Sequence, residues 1–468
     1  MKFFFLSLVL ITLFSCKKND DTTIEPLLNA DEFLINAGGK ANDLVNDMFV
    51  SSNENIYLTG TTRYNGTGDS LYFGNKIVRR IGGEDAIAVK YDRYGNAVWA
   101  KLIGSSENDD GEVIAGDNQD NCYVAGIFSG QFNFGSTSFS PEISYNSSGT
   151  PNKFDMFLAK YDPQGKEIWV RHISGVGLER PTALVTDKTG NLFVTGFFFR
   201  NIKFGTTVLT ATETSSFLAK YASDGSLVWA KSYSDGGSFY PNNLKLDHIE
   251  NIVITGTFDS PQNIGSYSIL SNGGFDVFTT KLDKNGTVQW VKTFGGINFD
   301  HCNALTIDQT NNIYIGGSFK NSVSTSGFTI NGTGNSSDAF FAKLLSDGNI
   351  SWIKSASGSG EDGVEDMFIQ KDTLYSVGYF YENFKIENSL ATNFGLNVFV
   401  TKHDLTGGLA GLVEMPLSYG NSKNIYVNSN NSCILTGYFL NSIKFKNMAT
   451  TSHGDYDFFI LKSKLPFK

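Results

Sequence analysis

The sequence predicts an all-β fold, a seven-bladed β-propeller with four antiparallel strands in each blade. One pattern recurs seven times at intervals of about 60 residues: N-x-Y-V-T-G-x-F, then D-x-F-x-A-K-Y, a D-x-x-G turn and a tryptophan. Each repeat has room for four short strands, and no stretch of the chain shows a persuasive helical period. A long all-β period of this kind is typical of a radial propeller that closes as one body.

Fixed landmarks define the repeats as units one to seven. A glycine ends the second predicted strand of each unit, at Gly60, Gly126, Gly196, Gly256, Gly317, Gly378 and Gly437. A lysine marks the third strand, at Lys90, Lys160, Lys220, Lys281, Lys343, Lys402 and Lys462. Nine residues later stand all five tryptophans of the chain, Trp99, Trp169, Trp229, Trp290 and Trp352. Unit six has Gly411 at this position, and in unit seven the chain has ended.

The four strands of one unit can be read from unit five. Short apolar or alternating runs predict strands at residues 303–308, 312–319, 338–344 and 349–355. Turns such as 283–286 begin with Asp and end with Gly. Asp accepts hydrogen bonds from its own turn, and Gly adopts the left-handed conformation, so these repeated aspartates are predicted to be structural.

The first strand of the domain is expected to close the ring. Unit seven supplies only three strands, so its blade lacks a fourth. Residues 32–37 resemble the fourth strand of the other units, with Phe33 at the tryptophan position. We therefore predict that residues 32–37 complete the last blade and cover an open sheet edge.

The N-terminus predicts export. Residues 1–15 read as a signal peptide, with Lys2 before an apolar run that is short for a membrane span. The sequence L-F-S-C that ends at Cys16 resembles the bacterial lipobox, which makes Cys16 the expected site of lipidation. Residues 16–31 then form a polar tether, and residues 32–468 form the propeller. Lys17 indicates the outer membrane, and the acidic residues that follow are similar to surface-export signals, with either leaflet open.

The repeat resembles the bacterial β-propeller repeat family called SBBP, which reads A-x-D-x-x-G-N-x-Y-V-T-G and then D-x-F-V-A-K-Y-D-x-x-G-x-x-x-W. Residues 186–196 and 157–162 match this pattern closely. The resemblance implies a seven-bladed propeller in an exported bacterial protein, and it implies almost nothing about activity. The cysteines inside the repeats, Cys122, Cys302 and Cys433, are predicted to be free thiols.

Composition and motifs exclude several classes of function. The net charge of −10 and the pI near 5.1 argue against nucleic acid as a partner, since such partners require a basic face. The five histidines show no metal-ligand spacing, and no nucleophile elbow or phosphate loop is present. No cofactor is expected, apart from Ca²⁺ on paired carboxylates.

The candidate site lies where the repeats stop repeating, in the loops between units on the long-loop face. These loops are expected to surround the mouth of the central channel, where carboxylates could bind Ca²⁺ or act on a glycosidic bond and aromatic rings could stack on sugars. The candidate residues are Glu107, Asp109, Asp110, Arg180, Phe239, Tyr240, Phe299, Asp300, His301, Glu361 and Asp362. Solvated structural loops explain the same residues without a ligand.

Two functions remain open from the sequence. The first is a non-catalytic surface lipoprotein, monomeric as a propeller, which binds a protein or glycan partner through these loops. The second is a carbohydrate-active enzyme that uses carboxylates at the channel mouth. The first is preferred, because the departures from the repeat are spread over several units rather than gathered around one acid and base.

Overall fold

The structure is a computed structural model that describes residues 32–63, 70–145, 151–234, 237–325 and 327–467. Within these ranges the regular structure is β-strand throughout, without a helix. The predicted signal peptide, Cys16 and the tether of residues 16–31 lie outside the described residues.

Strands follow one another with short connections. The strands of units one and two, with the strand that precedes them, are β1 (Phe33–Ala37), β2 (Asp43–Val50), β3 (Ile56–Arg63), β4 (Ser70–Phe73), β5 (Lys76–Arg79), β6 (Glu84–Tyr91), β7 (Ala97–Ile103), β8 (Asp109–Gly116), β9 (Cys122–Phe128), β10 (Phe132–Phe134), β11 (Thr137–Phe139), β12 (Ser144–Tyr145), β13 (Pro151–Asn152), β14 (Asp155–Tyr161) and β15 (Glu167–Gly175). Units three and four contain β16 (Arg180–Thr186), β17 (Leu192–Phe204), β18 (Thr207–Tyr221), β19 (Leu227–Ser232), β20 (Phe239–Leu246), β21 (Ile252–Phe258), β22 (Gln262–Ile264), β23 (Tyr267–Ile269), β24 (Asp276–Leu282) and β25 (Val288–Phe294). Units five to seven contain β26 (His301–Ile307), β27 (Ile313–Lys320), β28 (Ser322–Thr325), β29 (Phe328–Asn331), β30 (Ser337–Leu344), β31 (Ile350–Ala356), β32 (Gly363–Gln370), β33 (Thr373–Ile386), β34 (Ser389–Asp404), β35 (Leu409–Met415), β36 (Leu417–Val427), β37 (Cys433–Phe445), β38 (Met448–Thr451) and β39 (Asp457–Ser463).

Five antiparallel sheets have the size of a single blade. Four of them contain four strands, in the orders β2-β3-β6-β7, β20-β21-β24-β25, β26-β27-β30-β31 and β32-β33-β34-β35. The fifth has the order β1-β39-β37-β36, with β38 paired to β37. Small two-stranded sheets, such as β10-β11 and β28-β29, lie in the long connections between second and third strands. The predicted all-β propeller is confirmed.

The predicted count of seven separate blades is met only in part. Units two and three do not form two sheets, because β8, β9, β14 and β15 join β16, β17, β18 and β19 in one eight-stranded sheet. The join is a short antiparallel ladder in which Ile173 pairs with Phe204 and Gly175 pairs with Ile202. It forms because the β17–β18 hairpin extends beyond its own unit and reaches the end of β15.

First strands surround the central axis. Strand β2 contacts β8, β8 contacts β16, and the contacts continue through β20, β26, β32 and β36 back to β2. Short turns connect the first and second strands and the third and fourth strands at one end of every sheet. The connections between units and the longer connections from second to third strands lie at the opposite end.

A β-bulge explains the landmark glycine. The pairing of β20 with β21 shifts register between Pro241 and Asn243, opposite Gly256. The bulge brings the carbonyl oxygen of Tyr240 so close to Gly256 that no Cβ would fit there. Every first strand has the same register shift opposite its own landmark glycine.

The landmark lysine and tryptophan join one unit to the next. Lys90 Nζ and Trp99 Nε1 both donate hydrogen bonds to the carbonyl oxygen of Pro163, at 3.0 and 3.3 Å. Pro163 lies in the third-to-fourth turn of the following unit. The same arrangement joins Lys160 and Trp169 to Ser223 O, and Lys343 and Trp352 to Leu405 O. Within the same kind of turn Asp162 Oδ1 accepts from Gln164 N at 2.9 Å and from Lys166 N at 2.8 Å, which is the structural role predicted for the turn aspartates.

The N-terminal strand closes the ring, as predicted. Strand β1 pairs antiparallel with β39, and Phe33 is opposite Lys462, as Trp99 is opposite Lys90. Phe33 is buried and packs with Tyr91, Ile434 and Ile460. The three cysteines inside the repeats are buried free thiols, which confirms that prediction.

Replacement of Phe33 tests this closure. We expect Phe33→Ala to lower the free energy of unfolding by about 3–5 kcal/mol, because it empties a buried aromatic site between the first and last units. Val98→Ala, at a 41% exposed position of β7, is the control and should cost less than about 1 kcal/mol. Urea unfolding of the full chain gives both values. Equal effects of the two substitutions would contradict closure by β1.

Candidate binding surface at the channel mouth

The bulge decides which side chains of the first strands face the central axis. One set pairs with the residue that follows the landmark glycine, and we call it the mouth ring: Leu44, Asp110, Arg180, Tyr240, His301, Gly363 and Asn421. In each first strand the residue two positions after the mouth-ring residue is the unpaired residue of the bulge. We call these seven residues the bulge ring: Asn46, Glu112, Thr182, Asn242, Asn303, Glu365 and Lys423. Every bulge-ring residue is partly exposed.

A cluster of charged side chains, the ion cluster, lies where units two and three meet at these two rings. Arg180 Nη2 lies 3.1 Å from Asp110 Oδ2 and also forms an ion pair with Glu112. Asn46 donates to Asp110 Oδ1 at 3.1 Å and to the carbonyl oxygen of Gly111 at 2.9 Å. Burial raises the pKa of both carboxyls, and the charge of Asp110 raises that of Glu112 further. One arginine side chain therefore faces both carboxyls.

A second polar link crosses units six and seven. Lys423 Nζ lies 3.2 Å from Glu365 Oε2, and Asn421 donates to Glu365 Oε1 at 3.1 Å. Both acceptor oxygens of Glu365 thus have partners within the rings. This part of the mouth is satisfied by its own side chains.

Five rings form a continuous aromatic group on units three to five, which we call the aromatic sector: Phe197, Tyr240, Phe275, Phe299 and His301. Phe197 and Tyr240 meet edge to face, with ring centroids 5.0 Å apart. Phe275 lies 5.9 Å from Tyr240, from Phe299 and from His301. Burial lowers the pKa of His301, so its ring is neutral at neutral pH. Phe299 is 55% exposed, and the aromatic sector therefore opens to solvent at its rim.

The aromatic sector adjoins the ion cluster. Arg180 is directly paired with Phe197 across β16 and β17, and Phe197 contacts Tyr240. Asn242 of the bulge ring donates to the carbonyl oxygen of Cys302 at 2.9 Å, which fixes the strands that carry Tyr240 and His301. Hydrogen-bonding groups and exposed rings therefore lie side by side at one part of the mouth.

The sequence-predicted candidates separate into two groups. Asp110, Arg180, Tyr240 and His301 belong to the mouth ring, and Phe299 belongs to the aromatic sector. The residues directly before three of them in the sequence have side chains that point away from the mouth. Asp109 is buried and accepts from Ser105 N at 2.5 Å, and buried Asp300 accepts from Gly296 N at 2.6 Å. Phe239 is buried against Phe278.

The remaining candidates stabilise loops. Asp362 is buried and accepts from Tyr381 N, while the exposed Glu361 accepts from Ser337 N at 3.0 Å. The exposed Glu107 contributes its carbonyl oxygen to Gly83 N at 3.1 Å. Asp109, Phe239, Asp300 and Asp362 are therefore buried side chains, and the three carboxyls bind the loop backbone. Contact of any candidate residue with a ligand stays a prediction.

Two residues of the aromatic sector were missed from the sequence, Phe197 and Phe275. Phe197 follows the landmark glycine of its unit, a position that is Thr, Ile or Ser in four of the other units. Phe275 directly precedes the third-strand aspartate Asp276. Each is an aromatic residue at the edge of a repeated motif, which is the signal that could have identified it.

The described part of the chain contains no group of three or more His, Cys, Asp or Glu side chains arranged to hold a metal ion. Across the same ranges no helix is long and apolar enough to cross a membrane.

Comparison with known proteins gives distant relatives. No family model matches the chain, so membership of the SBBP family is not shown. An uncharacterized WD repeat-containing protein of Acanthamoeba polyphaga mimivirus is 26% identical over 230 residues, which are 43% of this chain and 17% of the relative. The regulatory protein FlaEY of Caulobacter vibrioides is 22% identical over 334 residues, which are 67% of this chain and 34% of the relative. The chain therefore spans only 17% and 34% of the length of these two relatives.

Solved structures with a similar course of the chain include YCF48 bound to D1 peptide and the phage phi92 endosialidase. The first has a TM-score of 0.44 at 8% identity and covers 92% of this chain and 94% of its own. The second has a TM-score of 0.41 at 9% identity and covers 93% of this chain and 69% of its own.

The buried carboxyl of Asp362 predicts a pH dependence of stability. Burial raises its pKa from 3.8 to about 8, so the folded chain keeps a proton there that the unfolded chain releases above pH 4. Its contribution to stability is complete below that pH and is lost as the pH rises through about 8. We expect Asp362→Asn to flatten the fall in the free energy of unfolding between pH 5 and pH 9.

Urea titrations at several pH values measure this slope. Glu361→Gln removes a negative charge from the exposed neighbouring position and is the control for a general charge effect. If Asp362→Asn and the wild type lose stability equally between pH 5 and pH 9, the assignment of Asp362 as a buried protonated group is wrong.

Proposed function

We propose that this chain is a non-catalytic recognition module that binds a glycan at the aromatic sector of the channel mouth. The observation that carries the proposal is the contact chain from Phe197 through Tyr240 and Phe275 to the exposed Phe299. A continuous patch beside a channel mouth is typical of a binding surface.

The chemistry next to the rings supports a glycan as the ligand. A sugar has an apolar face of C–H groups that stacks on an aromatic ring, and its hydroxyls require donors and acceptors at the edge of that ring. Arg180 is paired with Phe197, and Asp110 forms an ion pair with Arg180, so a donor and an acceptor group lie beside the ring. A purely apolar protein partner would leave these charges desolvated without hydrogen bonds.

A carbohydrate-active enzyme is the second candidate, favoured by the acidic pair Asp110 and Glu112, in which burial raises both pKa values. The geometry argues against it. Catalytic carboxyl groups stand about 5 to 5.5 Å apart in retaining glycosidases and about 6.5 to 9.5 Å apart in inverting ones. Asp110 and Glu112 lie two residues apart on one strand, and both form ion pairs with Arg180. The same guanidinium therefore holds both carboxyls, in place of leaving one on each side of a bound sugar.

We further infer that the disc has seven blades. The eight-stranded sheet contains two runs of four consecutive blade strands, β8-β9-β14-β15 and β16-β17-β18-β19, joined only by the ladder at Gly175. Together with the five blade-sized sheets these runs give one first strand per unit, and the first strands contact each other in sequence order around the axis. The tryptophan links cross the junction of units two and three as they cross other junctions.

We also propose that the module is an exported bacterial lipoprotein of the outer membrane, attached through Cys16. The support is the L-F-S-C sequence after a short apolar run and the polar segment that follows it. Two acyl chains give stable attachment, whereas one gives only weak binding.

Glycan binding is tested with the full chain on a panel of polysaccharides and envelope glycans, with product analysis of every binder. We expect Tyr240→Ala and Phe299→Ala each to weaken binding of the best glycan by about tenfold or more, which is the effect of losing a central aromatic contact. Tyr94→Ala removes a ring that is 45% exposed in a short turn at the opposite end of the sheets, and it should leave binding unchanged.

The outcomes separate the two candidates. New reducing ends, lost in Glu112→Gln, would establish the enzyme and overturn the non-catalytic proposal. Binding that neither aromatic substitution weakens would place the ligand elsewhere, and no binding across the panel would direct the search to protein partners.

Attachment at Cys16 has its own test. In a bacterial host that processes lipoproteins, the wild-type chain should fractionate with membranes and gain the mass of the acyl groups. Cys16→Ser should remove both properties, because serine has no thiol to accept the diacylglyceryl group. Wild-type chain that stays in the soluble fraction without added mass would contradict the lipoprotein proposal.

A further inference from the structure

Two acids face one another at the junction of units two and three. Asp155 begins β14, Glu179 directly precedes β16, and both are completely buried. Burial, reinforced by the charge of Asp155, raises the pKa of Glu179 to about 9. An ionised buried acid is strongly unfavourable, so this junction holds either a proton on Glu179 or a cation beside the two acids.

Each acid has one oxygen with partners and one without. Asp155 Oδ2 accepts from Glu142 N at 2.8 Å and lies 2.6 Å from His172 Nε2, and Glu179 Oε1 accepts from Gly177 N at 3.0 Å. Asp155 Oδ1 and Glu179 Oε2 are buried and have no hydrogen-bond partner among the described residues. Buried polar atoms without partners are rare in native proteins and often mark a bound water or ion.

Gly175 lets the carboxyl of Glu179 lie against the ladder between β15 and β17. A Cβ at Gly175 would collide with that carboxyl and would lie 2.5 Å from the carbonyl oxygen of Asn201. Asn201 also has a buried side-chain oxygen, Oδ1, without a partner in the described residues. Oxygen atoms of Glu179 and Asn201 therefore meet beside Gly175, and the charge of Asp155 acts on Glu179 from nearby.

Comparison with the other junctions shows what is unusual here. Asp85 and Asp109 occupy the same positions between units one and two, and all four of their oxygens accept hydrogen bonds. Between units three and four the same positions hold Ser215 and the apolar Phe239, and Ser215 Oγ instead lies 2.9 Å from Ser234 Oγ. At three further junctions one acid has an unpartnered oxygen, at Asp276, Asp362 and Asp457, whereas at Asp155 and Glu179 both acids have one.

We propose that Asp155 Oδ1 and Glu179 Oε2 bind a hard divalent cation, Ca²⁺, at the junction of units two and three. Carboxylate, amide and carbonyl oxygens are the ligands that Ca²⁺ prefers, and Asn201 supplies the third residue of the set. This set has only two acidic side chains, so it differs in composition from a site with three or more His, Cys, Asp or Glu residues.

The site would act on the ladder that joins the strands of units two and three. Gly175 is the last residue of the ladder between β15 and β17, and Asn201 directly precedes the part of β17 that pairs there. A cation held by β14, by β17 and by the residue before β16 ties together three segments that meet at this ladder. The cation would therefore strengthen the join that the long β17–β18 hairpin makes.

The test is Ca²⁺ binding by the full chain after treatment with EDTA. We expect calorimetry to detect Ca²⁺ uptake and Tb³⁺ to show sensitised luminescence that excess Ca²⁺ removes. Ca²⁺ should also raise the melting temperature, because a ligand that binds only the folded state stabilises it. Glu179→Gln should abolish this uptake and this shift. Asp109→Asn is the matched control at a junction whose oxygens have partners, and it should keep both.

The competing explanation is a proton held by Glu179. In that case the wild-type chain takes up no Ca²⁺, its melting temperature is the same in Ca²⁺ and in EDTA, and Glu179→Gln leaves stability unchanged because glutamine imitates the protonated acid. Any of these results overturns the proposal, as does equal Ca²⁺ uptake by Glu179→Gln and the wild type. If Glu179→Gln does not fold, the wild-type uptake and Asp155→Asn decide the question.

Discussion

The disc depends on a small hydrogen-bonded link, in which a lysine and a tryptophan of one unit donate to the same turn carbonyl of the next. Its geometry requires a tight turn, because the indole packs against the turn glycine, as Trp99 does against Gly165. Where tryptophan is missing, other aromatic residues fill the space. Phe33 packs against Gly95 at the closing junction, and Phe467 packs against Gly411 in unit six. The sheets are therefore ordered around the axis by contacts between turns as well as by their apolar faces.

The bulge is the second constraint, and it limits what the sequence can predict about the site. The propeller could be predicted from the landmark glycines and the turn aspartates, and its closure from Phe33 at the tryptophan position. Each of these features has a local cause in turn geometry or in strand pairing. The direction of a first-strand side chain has no local cause, since one extra residue reverses the alternation. Asp110 therefore faces the mouth and Asp109 does not, although both read equally well as loop carboxylates. The join of units two and three was equally hidden, because it depends on how far the β17–β18 hairpin extends.

Charge is distributed unevenly around the mouth. Ion pairs hold the charged side chains in two places, between Lys423 and Glu365 and between Arg180 and the carboxyls of Asp110 and Glu112. The aromatic sector of units three to five instead opens to solvent at Phe299. A propeller with near-identical units would present the same surface in every direction. Substitutions at the two ring positions of each first strand give this disc one distinct side without a change in its framework.

Closure by β1 also sets an order of events in folding. Glu32 accepts a hydrogen bond from Lys464 N, across 432 residues of chain. Strand β1 is synthesised before β39, its pairing partner. Until β39 has been made, β1 has no strand to pair with at this junction. Contacts of such sequence separation form slowly, because the closing of a long loop must precede them. Ribosomal synthesis therefore cannot complete this domain unit by unit, and a nascent chain that lacks its last forty residues still has an open ring.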